Sequence, residues 1–83
     1  MTTIKEELRK KWLWVAKMIA NDEIIKEAAE LAKRDAYEEA KDSRTRYLLY
    51  TIKFKHYYYK LRREKYDLIL NKVKKVMREL GLL

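Results

Sequence analysis

Residues 44–80 read RTRYLLYTIKFKHYYYKLRREKYDLILNKVKKVMREL, and neither Pro nor Gly interrupts them. Sheet turns rely on Gly, Asn and Pro for positive φ or a fixed bend. The 83-residue chain holds no Pro and one Gly, Gly81, placed where a helix-ending glycine belongs. An all-α fold follows. One helix over 44–80 would reach roughly 55 Å at 1.5 Å per residue. Its weakest point is Arg62-Arg63-Glu64, where the apolar stripe changes phase, and a kink or short loop there would divide it in two. The competing signal is Thr51 to Tyr57, which alternates as a strand does and is rich in β-formers. It has no partner strand and no turn.

Upstream, Thr3-Ile4-Lys5-Glu6 fits a capping box, in which the Thr hydroxyl and the Glu carboxylate satisfy free amides of a first turn. Ile4, Leu8, Trp12, Val15 and Ile19 then share one helical face, which predicts a helix over residues 3–20. Asn21-Asp22 is the first expected break, since Asn tolerates a left-handed stop and Asp can cap a second helix. That second helix, over 23–41, buries Ile25, Ala29, Ala32, Ala36 and Ala40, with Ile24, Ala28 and Leu31 alongside. Asp42-Ser43 is the second break. The expected architecture is a single helical domain over 1–83, a small bundle of three helices, or four if 44–80 divides. Its C-terminal helix is long and basic. At this size only about 60–65% of the unfolded surface is buried on folding, so the core is thin and homo-oligomerisation is expected.

The net charge of +8 is uneven along the chain. Residues 1–22 carry five basic and three acidic side chains, residues 23–42 four and seven, and residues 43–83 twelve and three. Projected at about 100° per residue, residues 44–80 sort into three stripes. One apolar stripe is Tyr47, Tyr50, Phe54, Tyr57, Leu61 and Leu68; another is Leu48, Ile52, Tyr59, Tyr66, Leu70, Val73 and Met77. Between them lie Arg46, Lys53, His56, Lys60, Arg63, Lys74, Lys75 and Arg78, interrupted by Leu49 and Asp67. Two apolar stripes imply two neighbours. A solvated helix normally mixes signs, because Glu–Lys pairs stabilise and like charges repel. A one-sign row is relieved by a polyanion, and phosphate is the usual one. The alternatives are neutralisation by the second helix, or the Lys and Arg enrichment of heat-adapted proteins.

Within His56-Tyr57-Tyr58-Tyr59-Lys60, three consecutive rings cannot all face one core. Tyr58 falls between the apolar stripes, where its hydroxyl would meet phosphate oxygens or its ring a base. Trp12 and Trp14 point to nearly opposite sides of a helix. Trp12 joins Leu8, Val15 and Ile19, while Trp14 and Met18 form a separate patch, a candidate partner contact unless other helices cover it.

Chemistry is poorly provided for. The chain has no Cys, one His and one Ser, and no HExxH or Glu-x-x-His pair, so catalytic residues, a metal site and a cofactor are not expected. A phosphate-cradling loop needs glycines that are missing here. The longest apolar run, Trp12 to Ala16, is far below the ~20 residues of a membrane span, and nothing resembles a signal peptide. A cytoplasmic, nucleoid- or virion-associated protein is expected, without membrane or small-molecule partners. The reading favoured is sequence-tolerant nucleic-acid binding, DNA before RNA, as in a small chromatin or viral nucleocapsid protein. Arg46, Lys53, His56, Tyr58, Lys60, Arg63, Lys74, Lys75 and Arg78 would supply the contacts, and Trp14 and Met18 the partner surface. The alternative is a self-assembling or protein-interaction helical bundle, natural or designed, with no nucleic-acid role.

Overall fold

The computed structural model describes residues 3–83 and contains two helices, α1 over Ile4–Glu39 and α2 over Ser43–Glu79, packed side by side as an antiparallel hairpin. The ends form as their residues dictate. Thr3 Oγ1 accepts from the Glu6 amide and caps α1. Asp42 Oδ1 accepts from the Thr45 amide at 2.9 Å, and its other oxygen accepts from the Thr45 hydroxyl at 2.8 Å, starting α2. At the far end Gly81 takes φ +79°, and Leu82 N–H reaches back to the Met77 carbonyl while Gly81 N–H donates to Arg78. This is the Schellman closure, and it requires the left-handed residue that glycine supplies.

The expected three- or four-helix bundle is not what forms. Residues 21 and 22 are helical, so the two helices predicted over 3–20 and 23–41 are one. Nothing there forces a stop: neither Gly nor Pro is present, and the Asn21 side chain is held by the Tyr58 hydroxyl at 2.8 Å. Residues 44–79 are not divided by a loop either, and Thr51–Tyr57 is helical, with the Thr51 hydroxyl donating to the Tyr47 carbonyl. The molecule measures 58 × 21 × 18 Å. No described helix is long and apolar enough to cross a membrane.

A four-residue period explains both misreadings. On α1 the buried row is Ala16, Ala20, Ile24, Ala28, Ala32 and Ala36, continued by Ala40 just past its end. Four residues turn a helix through about 400°, so such a row drifts by about 40° per step. The same period governs α2. Its buried and half-buried side chains fall in two adjacent rows, Leu49-Lys53-Tyr57-Leu61-Lys65-Ile69-Val73-Met77 and Arg46-Tyr50-Phe54-Tyr58-Tyr66-Leu70-Lys74, each in steps of four but for exposed Arg62. The contact therefore starts on the first apolar stripe of α2 and ends on the second. The phase change at Arg62-Arg63-Glu64 marks that crossing. One neighbour, not two, covers both stripes in turn, and each stripe is left bare where α1 has moved off it.

Alanine in the seam permits close approach, so α2 supplies most of the bulk. Trp12 and Val15 with Tyr66, Leu70, Val73 and Met77 close the open end of the hairpin, and Ile24 with Phe54, Tyr57, Leu61 and Ile69 fills the middle. Ile24 is the only large side chain described as fully buried.

Candidate nucleic-acid interface

The hairpin has two broad sides, and the contacts between helices identify the rows belonging to each. On the first side Tyr57 donates to Asp35, Lys53 sits 3.8 Å from Asp35 and 3.7 Å from Glu39, and Lys65 bonds Glu27 at 2.6 Å. On the second side Tyr58 donates to Asn21, the Arg46 guanidinium donates to the Ala40 carbonyl at 3.0 Å, and that guanidinium lies 4.8 Å from the Tyr37 ring centroid. Every interhelical ion pair among the described residues is on the first side.

Extending these rows by four residues at a time sorts every charged residue. The first side gathers Glu7, Glu23, Glu27, Asp35, Glu39 and Glu64 against Lys11, Arg44, Lys53, Lys60, Lys65 and Lys72, and is neutral. The outer row of α1, farthest from α2, carries Glu6, Asp22, Glu30 and Glu38 against Lys10, Lys26 and Arg34. Lys41 and Asp42 cancel in the turn. The second side holds Lys5, Arg9, Lys17 and Lys33 from α1 with Arg46, Lys55, Arg62, Arg63, Lys74, Lys75 and Arg78 from α2, against Asp67 and Glu79 alone. Its balance of +9, less one from the outer row, accounts for the whole net charge of +8.

Aromatic rings are interleaved with these cations. Arg62 stands 5.2 Å from the Tyr66 centroid and donates to the Tyr58 hydroxyl, whose ring stacks beside Phe54 with centroids 6.1 Å apart. Tyr59, Arg62, Arg63, Tyr66 and Asp67 line one shallow cleft; Lys33, Tyr37, Arg46, Tyr47 and Tyr50 line another, near the turn. Except for Arg46 and Lys74, which are half-buried, the cations of this side are exposed. The arrangement suits a phosphate backbone running between two clefts able to accept planar groups.

The residues singled out from sequence divide between the sides. Arg46, Tyr58, Arg63, Lys74, Lys75 and Arg78 lie on the cationic side; Lys53, His56 and Lys60 do not. Lys53 is held by two carboxylates, and His56 packs edge-on against Tyr57. The seven cations and His56 thus form no single solvent-facing stripe, because the buried seam runs diagonally across α2 beneath it. Sequence reasoning missed the four cations from α1 and, on α2, Lys55 and Arg62. The signal was available: Lys5, Arg9, Lys17 and Lys33 fall on one four-residue row that also contains Leu13, Asn21, Ile25, Ala29 and Tyr37 but no acid. Trp14 and Met18 are exposed at 62% and 44%, and they are the only apolar residues on the outer row of α1.

Asp35 is the one buried charged residue described. The Tyr57 hydrogen bond, helped by Lys53 and Arg34, holds its carboxyl below the ordinary 3.8 despite burial. The same bond, with burial, raises the Tyr57 hydroxyl above its usual 10.0. No buried side-chain nitrogen or oxygen among the described residues lacks a hydrogen-bond partner.

Comparison with protein families, curated proteins and solved structures finds no match to this chain.

Proposed function

We propose that this protein binds nucleic acid, DNA by preference, through the cationic side of the hairpin, without reading sequence. The observation that carries this is the segregation of charge. Inter-helix ion pairs neutralise one side, while eleven cations and two acids share the other. Crowding like charges opposes folding unless a counter-charge offsets it. A helical hairpin 58 Å long offers these cations as a strip, and a duplex carries one phosphate charge per roughly 1.7 Å of its axis. The cations come from both helices, and all but Arg46 and Lys74 are exposed, which suits backbone contacts better than insertion of one helix tip into a major groove. Packaging or coating, as by a chromatin or nucleocapsid protein, fits this mode. No residue here is assigned to catalysis.

The protein acts as a homo-oligomer in this reading. The accessible surface is 6786 Å² for 10.2 kDa, against about 5,300 Å² for a compact monomer of that mass. That excess also favours the second reading, a self-assembling bundle without a nucleic-acid role. Binding titrations against salt separate the two. If five to eight phosphates are neutralised per chain, log K falls against log salt with a slope of about −4 to −7, equally for natural and scrambled duplexes. Retention lost at low salt, with no defined slope, leaves self-assembly alone.

A further inference from the structure

Row 44–80 in steps of four, on the outer edge of α2 beside the neutral side, reads Arg44, Leu48, Ile52, His56, Lys60, Glu64, Leu68, Lys72, Val76 and Leu80. Every member is exposed, and Leu48, Ile52, Leu68, Val76 and Leu80 stand open at 57%, 65%, 63%, 53% and 68%. No other row of the hairpin exposes so many large apolar side chains. About Glu64 the two ends of the row match, Leu48 answering Leu80 and Ile52 answering Val76, while nearer the centre His56 answers Lys72 and Lys60 answers Leu68.

We infer that a second copy of this chain docks antiparallel on this row, α2 against α2, with the two-fold axis near Glu64. This rests on the oligomeric reading above and names its surface. A two-fold interface must be self-complementary, each position meeting its own mirror position. Here apolar pairs would close both ends, while Lys60 of each copy would meet Leu68 of the other and stand one turn from the Glu64 carboxylates that face each other at the axis. Charge selects the same surface. Two cationic sides repel each other, whereas this row borders the neutral side and leaves both cationic sides uncovered. The area agrees as well: an excess of about 1,500 Å² per chain falls within the 1,000–2,500 Å² that each partner of an obligate dimer buries.

The absence of Cys makes a direct test simple. Glu64→Cys should be linked chain to chain by a short thiol-reactive cross-linker, while Glu30→Cys on the outer row of α1 should stay unlinked. Sedimentation of the parent should give twice 10.2 kDa, and Ile52→Glu with Val76→Glu should give a monomer with an unchanged helical spectrum. In that monomer the salt dependence of nucleic-acid binding per chain persists, so a failure of docking is distinguishable from a failure of the binding surface. Equal linking of the two Cys variants, a monomeric parent, or a dimer lost through Trp14→Ala but kept in the double variant would overturn the assignment.

Discussion

Asp35 and Tyr57 tie the hairpin's stability to pH at both ends, because the bond between them lowers the carboxyl and raises the phenol. The α2 cap Asp42, held low by the Thr45 amide and hydroxyl, adds to the acid end. The folded-state carboxyl of Asp35 titrates below 3.8, so its contribution is present above that value and is lost as pH falls through the lowered pKa. Tyr57 titrates above 10.0 when folded, so its contribution is complete below that value and lost as pH rises through the raised pKa. Thermal midpoints should be flat between these edges and fall outside them. Tyr57→Phe should lower the plateau and blunt both edges, and a profile identical to the parent's would show that the pair adds nothing. The same pair shows what sequence could not reveal at this scale. Lys53 looked available to phosphate because its partners, Asp35 and Glu39, lie on the other helix, and only the hairpin register brings them within 4 Å. Thr3, Asp42 and Gly81 were legible because each cap acts within a few residues of itself.

Helix identity was legible at the scale of elements, but helix number was not. Absence of Pro and near absence of Gly excluded sheets, yet Asn21-Asp22 imitates a stop signal that the seam overrides. Ala20 and Ile24 are both fully buried against α2, and a break between them would expose one or the other. The projection at 100° per residue failed for a related reason, since it assumes a straight stripe whereas the seam recurs every four residues. The row of alanines from Ala16 to Ala40 carried that period in plain view. Position 22 offers a clean check. Were Asp22 a cap, its replacement by Ala would cost about 0.5–2 kcal/mol. Inside a continuous exposed helix, Ala instead gains up to about 0.7 kcal/mol in helix propensity. Asp22→Ala should therefore raise the thermal midpoint slightly, and a clear fall would restore the three-helix reading.

The whole molecule is extended for its mass. Its radius of gyration is 17.4 Å, whereas a compact chain of this length has about 12 Å. Only a thin alanine-lined seam is buried, and the exposed rows mix apolar with charged side chains. The basic character of α2 was legible from sequence, but the cationic side was not, because it combines four residues of α1 with seven of α2 across a diagonal seam. Binding is assigned to that side, and net charge alone does not test it, since any protein at +8 attracts a polyanion. Two triple variants that remove equal charge do. Lys17→Gln, Arg63→Gln and Lys75→Gln empty three positions of the cationic side; Lys10→Gln, Lys26→Gln and Arg34→Gln empty three on the outer row of α1. Salt-dependent binding to one duplex should give the first variant a slope shallower by about 2–3, since each lost phosphate contact removes about 0.9, and leave the second close to the parent. Equal losses in both would mean that binding follows total charge and that no dedicated surface exists.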